Sequence, residues 1–208
     1  MTYFPYGQRE IEYLSLADKR LGQAINLIGP IQRPLTGDPF AALVSSIISQ
    51  QISGKAAASV WQRLNTLCGT ITPAGLGKLS VDDIQSCGMS KRKAEYIRGI
   101  TEAALLGAVN FEVLKDLPDE EITARLTALR GVGPWTAEMV LIFSLARPDV
   151  VSWADYGIRK GMCLLYGLEE LAREDFNTYR ARYSPYGSVA SLYLWEIAGN
   201  PTVIQELK

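Results

Sequence analysis

The sequence predicts an all-α fold. Apolar residues recur at helical spacing through most of the chain, and no stretch of useful length alternates with period two. Short turns marked by Gly and Pro separate the helical stretches. In order, segment 9–28 (REIEYLSLADKRLGQAINLI) reads as one helix that stops at Gly29-Pro30. Asp38-Pro39 opens 39–51 as a cap and first-turn pair. Ser53 caps 53–67, with Gly69 beyond its end. Ser80-Val-Asp-Asp83 resembles a capping box with Asp in place of Glu or Gln, and Ser90 caps 91–106. Pro118 opens 118–129 and Pro134 opens 134–146. Helices over 155–165, 170–182 and 185–198 complete the set, and the linker Arg147-Pro148-Asp149 is the expected boundary. There is no low-complexity segment and no evident internal repeat.

Composition excludes several chemistries. The chain has no histidine, so Ser–His and Cys–His catalysis, histidine-ligated zinc and histidine general bases are ruled out. Acid–base work must fall to Asp, Glu, Lys, Tyr or Cys. The three cysteines, Cys68, Cys87 and Cys163, are odd in number and far apart, against a disulfide framework or a closely spaced cluster and consistent with a reducing cytosol. No apolar run is long enough to span a bilayer and the start lacks a signal-peptide pattern, so the expectation is cytoplasmic, with no membrane partner. The 208 residues, 48% of them apolar, can bury one sizeable core or two small ones. The net charge of −1 gives no hint of a nucleic-acid partner. Basic residues do cluster locally, at Lys91, Arg92 and Lys93, at Arg159 and Lys160, and at Arg180 and Arg182. Such clusters are either phosphate-binding faces or ordinary solvated helix faces.

The most informative stretch is Leu126-Thr-Ala-Leu-Arg-Gly-Val-Gly-Pro-Trp-Thr-Ala137. Gly131 and Gly133 let the chain take positive φ and turn within a few residues. The helix that starts at Pro134 then presents free backbone N–H groups, a ready site for a phosphate. Asp155 follows 22 positions after Gly133, in Val151-Ser-Trp-Ala-Asp-Tyr-Gly-Ile-Arg-Lys160. On its own Asp155 reads as a helix N-cap. Three further segments belong to the pattern: Pro39-Phe-Ala-Ala-Leu-Val-x-x-Ile-Ile-Ser-Gln-Gln-Ile-Ser-Gly-Lys-Ala-Ala57, Gly88-Met-Ser-x-Arg-Lys-Ala-Glu-Tyr-Ile97 and Ser184-Pro-Tyr-Gly-Ser-Val-Ala-Ser-Leu-Tyr-Leu-Trp195. Together these segments resemble the helix-hairpin-helix (HhH-GPD) DNA glycosylase superfamily, and within it the compact AlkA-type 3-methyladenine DNA glycosylases.

The resemblance implies a two-lobed helical fold with the active-site cleft between the lobes: 37–146 as the central lobe with the hairpin, and 1–36 plus 147–208 as the lobe with the catalytic Asp. It implies a monofunctional glycosylase that flips an alkylated base from damaged double-stranded DNA and hydrolyses its glycosidic bond. Asp155 would stabilise positive charge on the sugar and orient or deprotonate water. Trp135, Tyr156 and Trp195 would wall the base pocket, with Trp153 and Met139 as weaker candidates. The loop Gln50-Gln51-Ile52-Ser53 would fill the vacated stack through Gln51 or its neighbour. Gln50, Gln51, Ser53, Gly131, Gly133 and Thr136 would contact DNA. Bifunctional relatives carry a Schiff-base lysine where this chain has Trp135, so β-lyase chemistry is not expected. No cofactor is required, but the carbonyls of Thr127, Leu129 and Val132 would hold a monovalent cation, Na+ or K+. The four C-terminal cysteines of the iron–sulfur branch are absent. Ala154 stands where many relatives carry a second acid, Gly187 replaces a common arginine, and 208 residues leave no room for an N-terminal β-domain. The chain would act as a monomer, at the nucleoid in a prokaryote or in the nucleus of a eukaryote. The lesion stays open among 3-methyladenine, 7-methylguanine, ethenoadenine and methylated pairing positions. Rival readings are a non-catalytic hairpin module with Asp155 as a simple cap, and a same-fold glycosylase for oxidised or mismatched bases.

Overall fold

The computed structural model describes residues 2–200 and 202–205. Its helices, in chain order, are α1 Gln8–Ala17, α2 Lys19–Ile28, α3 Pro39–Ser49, α4 Gly54–Cys68, α5 Pro73–Leu76, α6 Val81–Ser86, α7 Lys91–Leu105, α8 Asp119–Thr127, α9 Pro134–Phe143, α10 Tyr156–Tyr166, α11 Arg173–Tyr183, α12 Gly187–Gly199 and α13 Thr202–Gln205. Among the described residues there is no strand, only an isolated bridge between Tyr3 and Pro34. None of the described helices is long and apolar enough to cross a membrane. The expected capping residues act as caps: Asp38, Ser53, Ser80 and Ser90 each accept a backbone N–H of the first turn.

Segment 9–28 is two helices, not one. Asp18 takes an extended backbone between α1 and α2, and its Oδ1 accepts Leu21 N–H at 3.0 Å. The same buried carboxylate accepts Tyr166 O–H at 2.8 Å and Arg182 Nη1–H at 3.1 Å. Apolar periodicity runs on through the break because both helices bury the same kind of face, but the polar anchor decides the chain path. Other ends shift by a few residues. Pro118 caps α8 from outside rather than beginning it. The last long helix starts at Gly187, after a turn in which Tyr186 N–H donates to Tyr183 O. The helix from Pro134 stops at Phe143, and Ala146 takes φ +51.

The chain divides into two compact units, residues 1–35 with 146–208, and residues 36–145. The second unit is built around α3, whose residues Phe40 to Val44, Ser46, Ile47 and Ile48 are buried, and α3 packs on α4, α7 and α9. The first unit is built around α12, buried from Gly187 to Leu194 and packed on α2, α10 and α11. Helices apolar all round are core helices, and each fully buried Leu or Ile contributes about 1.5–3 kcal/mol. The α10–α12 contact is the close one. A Cβ on Gly161 would lie 2.2 Å from Leu194 O, so only glycine lets α12 approach there. In the same unit Tyr166 and Tyr183 share a 2.6 Å hydrogen bond, and burial pushes both phenols' pKa up.

Candidate active site

In the first unit, Asp155 is the N-cap of α10: its Oδ1 accepts Ile158 N–H at 2.8 Å. The cap is therefore real, and it does not exhaust the carboxylate. The same oxygen accepts the Trp195 indole N–H from α12 at 2.9 Å. Asp155 is only 7% exposed, so two N–H donors hold a carboxylate that water reaches little. Gly157 makes this possible. A Cβ there would stand 2.7 Å from Trp195 Cδ1 and 3.2 Å from Asp155 Oδ1, pushing the indole away from the acid. Trp195 thus uses its polar edge to position Asp155, a role beyond the pocket wall expected of it. Tyr156, the next residue, is 72% exposed, so its ring is available for stacking rather than used in the core. The loop before Asp155 is fastened to α12 and the turn before it: Asp149 accepts from Gly187 N–H and Ser184 O–H, and Ser188 O–H donates to Arg147 O while accepting Val150 N–H. Gly187 has a local reason, since a Cβ there would meet Asp149 Oδ1 at 2.5 Å. Trp153 is stacked by the guanidiniums of Arg159 and Arg173 at 5.3 and 4.8 Å, which occupy the ring faces a base would need.

In the second unit, the hairpin between α8 and α9 turns at Gly131, where φ is +89. Gly133 does not take positive φ. It is the extended N-cap of α9, with φ −98, and a Cβ there would meet nothing within 4 Å. Its value is open space at the N-terminus of α9, whose dipole favours an anion. Thr136 was expected to contact DNA, but its side chain is buried and its Oγ1 accepts Gln50 Nε2–H at 3.1 Å. Gln50 also donates to Gly131 O at 3.2 Å. Both side chains therefore fasten the Gln50–Ser53 loop to the hairpin instead of reaching outward. Gln51 does the opposite: it is exposed and sits at φ +56, a strained conformation for a residue with a Cβ. Ser53 is exposed and its Oγ caps α4 through Ala56 N–H at 3.3 Å. Trp135, at the second position of α9, is half-buried, and Met139 one turn on is buried.

Lys93 was counted only as part of a basic cluster. Its Nζ donates to Ile48 O at 2.8 Å and to Gln50 O at 2.5 Å, closing the C-terminal end of α3 just before Gln51. Burial pushes its pKa down. A count of charges along the sequence sees a cation but not the orphan carbonyls it serves. As for a hairpin cation, the Leu129 carbonyl already accepts Val132 N–H at 3.1 Å, while those of Thr127 and Val132 accept no loop or cap N–H among the described residues. Carbonyls with free lone pairs at a turn suit a hard monovalent ion. Among the described residues no group of three or more His, Cys, Asp or Glu could hold a metal.

Comparison with known proteins gives a consistent result. The family model of HhH-GPD superfamily base excision DNA repair proteins matches residues 44–182. DNA-3-methyladenine glycosylase 1 of Schizosaccharomyces pombe is 30% identical over 192 residues, covering 88% of this chain and 84% of that protein. The crystal structure of a DNA-3-methyladenine glycosidase from Bacillus halodurans superposes with a TM-score of 0.83 at 37% identity, covering 100% of this chain and 99% of that one. The S. pombe 3-methyladenine DNA glycosylase in complex with abasic DNA gives 0.85 at 29% identity, over 92% and 97%.

Proposed function

Because the chain belongs to the HhH-GPD superfamily of base excision DNA repair proteins, we propose that it is a monofunctional DNA glycosylase that excises alkylated bases of the 3-methyladenine type from duplex DNA, acting as a monomer. The observation that carries this reading is Asp155, a buried carboxylate fixed by Ile158 N–H and the Trp195 indole N–H.

The chemistry follows from that carboxylate. Extruding a base costs a few kcal/mol, less for a damaged and poorly paired one. Gln51, exposed on a turn that Lys93 and Gln50 hold in place, is the side chain that fills the vacated stack. As the glycosidic bond breaks, positive charge grows on the sugar. Asp155 stabilises it and orients the attacking water, whose proton passes to the carboxylate as the new C–O bond forms. An alkylated purine with a ring charge departs with little help from a general acid, so one carboxylate suffices. Tyr156 offers an open aromatic face for an electron-poor base. The carbonyls of Thr127, Leu129 and Val132 would hold a monovalent cation that attracts a backbone phosphate. Trp135 in place of an amine nucleophile supports hydrolysis without β-elimination.

Duplex DNA with a single methylpurine tests the monofunctional reading. Strand breaks are expected only after alkali treatment of the abasic product, and borohydride should trap no covalent adduct. Breaks without alkali, or a trapped adduct, would overturn it.

A further inference from the structure

Beside the hairpin two guanidiniums converge on one aromatic ring. Tyr96 of α7 is 9% exposed, and its ring occupies the space a side chain on Gly131 would need, with Cδ2 2.2 Å from the position of a Cβ. The Arg92 guanidinium lies 5.5 Å from the ring centroid, and its Nε–H donates to the Tyr96 hydroxyl. The guanidinium of Arg130, the residue before Gly131, lies 5.8 Å from the same centroid. Both arginines are exposed, and neither has a carboxylate partner among the described residues.

Most other members of the basic clusters are spoken for. Lys93 closes α3, Lys160 donates to Ala198 O at 2.9 Å, Arg159 stacks on Trp153, Arg180 pairs with Asp149 and Arg182 with Asp18. Two like charges drawn to one ring repel each other, and an anion shared between them removes that cost. A guanidinium fork matches two oxygens of a phosphodiester. We propose that Arg92 and Arg130, seated on Tyr96, form a phosphodiester clamp for the DNA strand that docks on the hairpin, in addition to the backbone N–H groups of α9. The inference rests on DNA being the substrate. It also explains how a chain of net charge −1 gains affinity for a polyanion through local charge.

The salt dependence of binding to an undamaged, fluorescein-labelled duplex tests the clamp. Each lost phosphate contact lowers the slope of log affinity against log salt by about 0.9. Arg92→Gln and Arg130→Gln should each lower it by about that amount, with affinity roughly tenfold weaker per contact at about 50 mM salt. The double glutamine variant should lose both contacts, while Arg92→Lys with Arg130→Lys keeps the charges and the wild-type slope. Arg9→Gln on α1, which removes one charge elsewhere, should leave the slope unchanged. A double glutamine variant with the wild-type slope overturns the clamp, as does a double lysine variant that loses as much as the glutamine one. Undamaged duplex offers nothing to excise, so the two readings fail separately. A wild type that releases no base overturns the glycosylase reading, and the slopes still decide the clamp.

Discussion

Gln51 sits at φ +56, so glycine at that position removes the side chain and relieves the backbone at once. Gln51→Gly should keep the wild-type melting temperature and lose about 1–2 kcal/mol of the offset to flipping, roughly tenfold in kcat/KM. A wild-type kcat/KM would remove Gln51 from the wedge role. Trp195→Phe keeps most of the ring and deletes the indole N–H that holds Asp155. A hydrogen bond to a charged group is worth about 1.5–3 kcal/mol, so kcat should fall about ten- to a hundredfold with little change in KM. A raised KM with an unchanged kcat would make Trp195 a base wall only. At this scale legibility in the sequence was uneven. Asp155 and Gln51 stood in motifs with fixed spacing. The Trp195 hydrogen bond depends on the register between two helices, and the Lys93 contacts depend on where α3 ends.

At the scale of elements, α10 and α12 give a contrast within one helix pair. Gly161→Ala drives a Cβ toward the Leu194 carbonyl, a backbone atom that cannot move aside. The cost should be about 1–3 kcal/mol, a fall of roughly 5–10 °C in melting temperature. Gly157→Ala meets the Trp195 ring edge and the Asp155 oxygen instead, both in side chains. It should cost less stability and more activity, and single-turnover base release alongside thermal melts separates the two. Equal effects of both substitutions on both readouts would contradict the positioning role of Trp195. Helix existence and capping were legible in the sequence because Asp and Ser at helix starts act through local hydrogen bonds and Pro through its fixed φ. The break at Asp18 was not, since it is decided by Tyr166 and Arg182, more than 140 residues away in sequence. Gly133 was misread for a related reason: positive φ and open space both call for glycine, and only the fold distinguishes them.

For the whole molecule, the absence of histidine leaves few side chains to titrate near neutrality. Burial pushes the thiols of Cys68, Cys87 and Cys163 up from the ordinary value of 9.0. A folded-state pKa raised above the unfolded one leaves stability intact below the unfolded value and lowers it as pH rises from there through the folded value, because the unfolded thiol ionises first. Melting temperature should therefore stay nearly flat from about pH 6 to 8.5 and decline above about 9, and iodoacetamide at about pH 7.5 should react slowly with the folded chain. A sharp change in stability near pH 6.5, or rapid alkylation, would contradict this account. Bulk composition gave no sign of a DNA partner, because the cations that matter are few and local. The most direct test of the whole is release of free 3-methyladenine from methylated duplex DNA by the wild type and by Asp155→Asn. The wild type should release the base and Asp155→Asn should be slower by at least about a hundredfold, a loss of about 3 kcal/mol of transition-state stabilisation. Equal release by the two proteins would contradict Asp155 as the catalytic carboxylate, and no release by the wild type would contradict the glycosylase itself.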